Sequence, residues 1–212
     1  YLVINYMFGL YVSCCNIYFI HLQGLLYSFK DLLDKDYTIY IIDLGLDINQ
    51  IMCLKGNFHW LNYKIITIDE KYKINYKFKI RCIDLMLENN NTYAIMLDAK
   101  NHLKWKLSKI INHLEHNHIL IQDIAPYPEY LWTHDICLKK MDVFDNETIM
   151  KSNQFQSNNP VFYVEKVKDI MQDIVKYGYD DQCISPFGSR KSFEGESRHR
   201  QDQSVISITL KK

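Results

Sequence analysis

The sequence predicts an α/β fold, one domain on a mostly parallel central sheet flanked by helices. Three observations carry this. Short apolar, β-branched runs alternate with stretches of helical period, the pattern that βαβ units write into a sequence. At 212 residues the chain is long enough for one sizeable domain and short for two. Hydrophobic residues make up 48% of it, enough to fill a core and to exclude disorder over most of the length.

The elements follow in order. Residues 8–13 are mostly apolar over a strand's length and read as a short buried strand. Cys14, Cys15 and Asn16 make the turn, after which Leu22, Leu25, Leu26, Phe29 and Leu33 recur at helical spacing. Residues 37–42 form the second strand, stopped by Asp43-Leu44-Gly45-Leu46. A helix over 49–55 and a strand near 63–68 come next; two strands separated by a helix of this length pair in parallel. Residues 78–87 read as helix, and 92–97 as a strand ending at Asp98. Leu103, Leu107, Ile110, Ile111 and Leu114 trace one helical face, and 118–121 is a further strand. A helix over 163–177 turns Val164, Val167, Ile170, Met171 and Ile174 inward. The Ser-, Arg-, Gly- and Glu-rich stretch 188–200 reads as a mobile loop, and 204–210 as a last helix. No internal repeat or domain boundary appears, so 1–212 reads as a single domain.

Basic and acidic residues balance at 25 each, and the basic ones are scattered, which excludes a nucleic-acid partner held by a long-range field. The six cysteines form no C-x-x-C pair and read as reduced thiols of a cytoplasmic protein. On a helix His113, His116 and His118 would not converge on one ion, and no cysteine or carboxylate completes a ligand set there. The first residue is not methionine, so 1–7 reads as a truncated leader. From Tyr1 to Phe29 there is no ionised side chain, which raises a membrane span. Asn5, Ser13, Asn16, His21, Gln23 and two glycines, with no basic flank before them, argue against it. The expectation is a chain without a membrane partner, N-terminal membrane association being the alternative.

In an open parallel sheet the ligand lies beyond the carboxyl ends of the strands, where helix N-termini and loops gather. Asn16, Asp43 and Asp98 each follow such an end. A second polar cluster is His199-Arg200-Gln201-Asp202-Gln203, which runs directly into the apolar stretch 204–210. Asp202 suits the N-cap of that helix. A cap alone does not need His199, Arg200 and Gln203 beside it, so the turn is expected to face a polar ligand.

The order of these motifs resembles a family. Residues Leu10 to Phe19, Ile41-Ile42-Asp43-Leu44-Gly45-Leu46, Ala94-Ile95-Met96-Leu97-Asp98-Ala99-Lys100, Tyr130-Leu131-Trp132-Thr133-His134, and the H-R-x-D-Q-S run from His199 preceded by Ser185-Pro186-Phe187-Gly188-Ser189 are similar to successive elements of glycosyltransferases of the nucleotide-diphospho-sugar transferase (GT-A fold) superfamily. The resemblance covers about residues 8–212. It implies transfer of a hexose from a nucleoside-diphosphate sugar to a hydroxyl of a glycan, protein or lipid acceptor. It assigns nucleotide-sugar contacts to Asn16, Asp43, Asp98, Lys100, His134 and Arg200, and sugar and acceptor contacts to the catalytic pair Asp202 and Gln203. It further implies Mn²⁺ or Mg²⁺ on the D-x-D carboxylates, since a hard cation neutralises the leaving diphosphate. Here the motif is degenerate, because Lys100 stands where the second carboxylate belongs. Three readings stay open: His199 or Asp202 completes the ligand set with Asp98; Lys100 itself pairs with the phosphates; or the chain is an inactive binding or structural module. Plainer roles compete as well: Asp98 as a helix cap ahead of Leu103, and Trp132 with His134 as core residues rather than a sugar platform. Arg190 would suit phosphate, and Gln154 and Gln156 an acceptor-side strand.

Overall fold

The structure, a computed structural model, describes residues 7–186 and 199–212 in full, with the backbone of 192–193 and 196–197. The strands are β1 Phe8–Cys14, β2 Tyr37–Asp43, β3 Tyr63–Thr67, β4 Tyr93–Asp98, β5 Ile119–Leu120, β6 Asp123–Pro128, β7 Asn153–Phe155, β8 Val161–Tyr163, β9 Ser192–Phe193 and β10 Glu196–Ser197. The helices are α1 Phe19–Ser28, α2 Ile48–Asn57, α3 Glu70–Lys73, α4 Lys77–Glu88, α5 Leu107–Asn117, α6 Glu129–Trp132, α7 Asp135–Lys140, α8 Glu147–Lys151, α9 Lys168–Tyr179, α10 Asp181–Ile184 and α11 Gln201–Thr209. Contacts gather these into two compact units: Tyr1–Asp69, Leu85–Leu120 and Asn158–Val167 form the first, and Glu70–Asp84, Ile121–Ser157 and Lys168–Lys212 the second.

The first unit holds a six-stranded sheet in the order β3-β2-β1-β4-β8-β5. Strands β1 to β4 run parallel, and β8 pairs antiparallel with both β4 and β5. All seven residues of β1 are buried, as expected for a strand covered on both faces. On one face α1 packs Leu22, Leu25 and Leu26, and α5 packs Leu107, Ile110 and Leu114, around Leu10, Val12, Ile39, Ile41, Ile95 and Leu97. A capping box starts α2: Asp47 Oδ1 accepts the Gln50 N–H at 2.9 Å and Gln50 Oε1 accepts the Asp47 N–H at 3.1 Å. On the other face Tyr11 stacks on Tyr40 with ring centroids 4.6 Å apart. A phenol this deeply buried needs hydrogen bonds, and Tyr11 donates to Leu85 O at 3.2 Å and accepts from Asn91 Nδ2 at 2.7 Å. Gly9 permits this arrangement, since a Cβ there would lie 2.5 Å from Asn91 Nδ2.

The second unit pairs β6 with β7 antiparallel and packs α6, α9 and α10 with α11. Gly178 in α9 takes Ile80 against its backbone, where a Cβ would meet that side chain at 2.6 Å.

The four parallel strands stand where the sequence places them, and α5 begins at Leu107 with Leu103 buried ahead of it. Several expectations are corrected. Tyr163 is not helical: it pairs with Tyr93 in the sheet, Val164–Val167 is a 3-10 turn, and α9 starts only at Lys168. Ile170 consequently stands on the outer side of α9, 36% exposed. Asp202 is not an N-cap, because α11 starts at Gln201 with Arg200 at the cap position and no side-chain cap bond. Asp98 is not a cap either, since α5 takes Lys106 at that position. The expected loop 188–200 contains the paired β9 and β10. Residues 1–6 of the expected leader, Phe187, Gly188, Ser189 and Arg190 lie outside the described residues. Among the described residues no helix is long and apolar enough to cross a membrane.

Candidate functional site

The parallel register of the first unit sets Cys14 beside Asp43, and Ser13 beside Asp98, at the carboxyl edge of the sheet. The chain leaves β1 through a 3-10 turn, Asn16–Tyr18, whose Asn16 is exposed. Gln50 Nε2 holds this turn by donating to Asn16 O at 3.1 Å. Asp43 is buried, and its Oδ1 accepts the N–H groups of Gly45 at 2.8 Å and Leu46 at 2.7 Å. That tight turn needs the φ of +123° that Gly45 adopts. Asp98 closes β4; its N–H donates to Asn158 O at 3.2 Å, and its carbonyl accepts the Asn101 N–H at 2.8 Å. Lys100 extends from the same turn and sets its Nζ 4.3 Å from the centre of the Tyr18 ring, a cation–π seat. The sequence-predicted residues Asn16, Asp43, Asp98 and Lys100 therefore gather at one edge of one sheet.

Sequence reasoning missed Tyr18, Asn101, Asn158 and Asn159 there. Asn101 Nδ2 donates to Asn158 O at 2.8 Å, fixing the turn after β4 from outside it. Asn158 Oδ1 and Asn159 Oδ1 are buried with no hydrogen-bond donor among the described residues, an arrangement that favours a donor group arriving from elsewhere. Only the Ser/Asn-rich composition of this stretch hinted at them.

Cys14 supplies no nucleophile at this edge. Burial, then the neighbouring Cys15 and Asp43, push its thiol up to about 12. With a folded pKa this high the group stays a thiol through neutral pH. Iodoacetamide at neutral pH is expected to leave Cys14 unmodified in the native protein, while the half-buried Cys15 and Cys53 react; peptide mass mapping reads the difference. Carboxamidomethylation of Cys14 at the rate of Cys15 would refute the assignment.

The residues at the edge do not assemble a divalent-cation site by themselves. Asp98 is the one carboxylate of the motif, Lys100 brings an ammonium in place of the second, and Asp43 commits Oδ1 to its own turn. Among the described residues no group of three His, Cys, Asp or Glu side chains could hold a metal ion. His199, expected as an auxiliary ligand, accepts the His134 N–H on Nδ1 at 3.2 Å. A neutral ring accepting there carries its proton on Nε2 and offers a cation neither lone pair.

The remaining predicted residues lie in the second unit, beside a buried polar network that Gln203 joins. Its centre is Glu129, fully buried, which sequence reasoning passed over. Lys211 Nζ donates to Glu129 Oε1 at 2.7 Å, Thr133 Oγ1 to Oε2 at 2.8 Å and Gln154 Nε2 to Oε2 at 3.1 Å, with the Ser207 hydroxyl a fourth donor. Gln203 joins this network by donating Nε2 to Gln154 Oε1 at 2.8 Å. Asp202, 5% exposed, sits 3.7 Å from the Lys79 ammonium, itself buried. Arg200 lays its guanidinium against two rings, 4.7 Å from Tyr127 and 5.0 Å from Trp132. His134 is 2% exposed and caps α7, its Nδ1 accepting the Ile136 N–H at 3.1 Å. Each of these side chains has a structural task inside the unit.

No protein-family model matches the chain, and no curated protein sequence matches it. Solved structures do. An active-site mutant of LgtC superposes with a TM-score of 0.59 at 13% identity, over 94% of this chain and 69% of that one. The apo structure of the bifunctional glycosyltransferase WbbM gives 0.58 at 12% identity, over 87% of this chain; the match spans 37% of the WbbM chain. Apo mouse xyloside xylosyltransferase 1 gives 0.56 at 12% identity, over 95% of this chain and 81% of that one. At these identities the likeness is one of fold, and the fold is that of the nucleotide-diphospho-sugar transferases, GT-A.

Proposed function

We propose that the chain transfers a hexose from a nucleoside-diphosphate sugar to a hydroxyl of a glycan, protein or lipid acceptor. The observation that supports it is the gathering of Asn16, Asp43, Asp98 and Lys100 at the carboxyl edge of a GT-A sheet, where such folds take their ligands. In this reading Asn16 and Asp43 contact the nucleotide, and Asp98 orients the donor. As the bond between the sugar C1 and the diphosphate oxygen breaks, its electron pair leaves with the diphosphate, and the Lys100 ammonium offsets the charge that develops. The acceptor oxygen forms the new bond to C1, and its proton passes to the departing diphosphate. Asp202, Gln203, His134 and Arg200, assigned to the donor and acceptor by the resemblance, are proposed to act by holding the start of α11 and the cap of α7 in place. Free thiols at all six cysteines support a reducing, cytoplasmic setting.

Calorimetric titration with UDP and with GDP, each with Mn²⁺ or with EDTA, tests the reading. Binding of one nucleotide that persists in EDTA and weakens in Lys100→Ala is the expected result. Lys100 in place of a carboxylate also favours a second reading, a non-catalytic module. Failure to bind either nucleotide under any condition would overturn the transferase reading in its favour.

A further inference from the structure

The amino edge of the sheet in the first unit carries a cavity that the donor edge does not use. Asp36 and Tyr37 lead into β2 there, Asp36 O accepting the Phe8 N–H at 3.0 Å, and Asn62 stands just ahead of β3. The cavity, about 580 Å³, opens beside these strand starts, and Asp34, Lys35 and Trp60 contribute to its wall. That volume falls inside the range of about 300–1,000 Å³ typical of small-molecule sites. From Tyr37 to Asp43 strand β2 rises by about 3.3 Å per residue, so the cavity lies roughly 20 Å from the carboxyl edge.

Trp60 gives this wall a flat apolar surface. Its neighbours Phe58 and Leu61 are buried and anchor the turn on both sides, while the indole itself is 40% exposed. The Phe58 ring stands 6.4 Å from it between centroids, and Trp60 Nε1 donates to Asn57 O at 3.2 Å. The ring is therefore held in place with its N–H satisfied, and a ligand that covers it removes apolar surface from water. Around it stand hydrogen-bond acceptors. Asn62 commits its amide hydrogens to Tyr37 O at 2.7 Å and Thr38 Oγ1 at 3.2 Å, which makes Oδ1 the atom it offers a ligand. Asp34 is held by Ser108, whose N–H and hydroxyl donate to its two oxygens at 3.0 Å and 2.6 Å. Each carboxylate oxygen keeps a further lone pair for another donor. Asp36 adds a second carboxylate and Lys35 an ammonium.

This combination narrows the class of ligand. Two carboxylates against one ammonium repel phosphate, sulfate and carboxylate groups. The Lys35 ammonium opposes a cation. A flat heteroaromatic ring would stack on Trp60 and leave the surrounding acceptors without donors. A neutral pyranose meets both demands: its C–H face packs on an indole, and its hydroxyls donate to carboxylate and carboxamide oxygens. We infer that this cavity is a binding site for a neutral oligosaccharide, separate from the donor edge. The inference stands without the transferase reading, because none of its residues belongs to that edge.

Calorimetric titration of the full chain with maltohexaose, cellohexaose and mannohexaose tests it, with oligogalacturonate and trilysine as charged counterparts. At least one neutral hexasaccharide is expected to bind, and oligogalacturonate should bind roughly tenfold more weakly or not at all. Trp60→Ala should weaken the neutral ligand by roughly tenfold or more, because the ring it packs on is gone, and Asp36→Ala by roughly threefold to tenfold. Circular dichroism checks that both variants fold, Asp36→Ala being the milder of the two. Their titrations with UDP and GDP should match those of the parent, which keeps failure here distinct from failure at the donor edge. Absence of binding by all three neutral hexasaccharides, or binding that neither variant weakens, overturns the inference. Trilysine bound in preference to the saccharides and lost in Asp36→Ala would give the cavity to a cationic ligand instead.

Discussion

Lys100→Ala is expected to weaken nucleoside-diphosphate binding by roughly tenfold to a hundredfold, the range for losing one hydrogen bond to a charged group. The ammonium stands at the carboxyl edge, seated on the Tyr18 ring, where the resemblance places the donor diphosphate. Cation–π seating fixes the position of a flexible side chain without neutralising it, so the charge stays available to an anion. Tyr18→Leu should accordingly give a smaller loss than Lys100→Ala, because the charge remains and only its placement loosens. Lys100→Asp is the sharper contrast. It rebuilds two carboxylates around Ala99, and nucleotide binding should then depend on Mn²⁺, which coordinates such a pair. Calorimetry of the three variants in Mn²⁺ and in EDTA reads each outcome. Lys100→Ala binding as tightly as the parent would remove the lysine from the phosphate role.

The largest expected loss of stability is at Glu129. Its carboxylate is fully buried and receives Ser207, Lys211, Thr133 and Gln154, tying α6, β7 and α11 together in the second unit. Glu129→Ala takes the carboxylate from four donors at once; Gln154 keeps Trp132 O and Lys211 keeps Asn153 O, but the lysine ammonium, with 10% of its side chain exposed, loses its counter-charge. Breaking a buried ion pair from one side costs about 3–5 kcal/mol, equivalent for a chain of this size to a fall in Tm of roughly 10 °C. Glu129→Gln keeps one acceptor oxygen and should lose less. Combining Glu129→Leu with Lys211→Met removes both charges and should recover part of the loss, because an uncompensated buried charge costs more than an absent pair. Urea denaturation of these variants measures all three. A Glu129→Ala protein within about 1 kcal/mol of the parent would mean that the network contributes no net stability.

The candidate site was partly legible because its residues stand at strand ends. A strand end is visible in sequence wherever a long apolar run stops, so Asn16, Asp43 and Asp98 could be named once the strands were. Lys100 drew attention by breaking a motif. Tyr18 could not be found this way, since nothing local marks the ring on which a lysine in a later loop will settle. The second unit was read least well. Its helices α6, α8 and α10 have four or five residues each, too short to show a hydrophobic period, and what holds them is hydrogen bonding to remote positions.

Asp202 shows the same division in one residue. Sequence correctly put a carboxylate at the start of the last helix, where the dipole favours it. It could not show that the side chain turns to Lys79 of α4 rather than to its own backbone. By itself the sequence determined the alternation of strands and helices and the parallel sheet, because burying one face of each element writes a period into neighbouring residues; the order of motifs was legible only through its resemblance to GT-A glycosyltransferases. Only the tertiary structure decided the partner of His199, the buried role of Glu129 and the seat of Lys100. Each of those depends on which distant group completes a hydrogen bond, an ion pair or a ring contact, and that choice is made when the chain closes on itself.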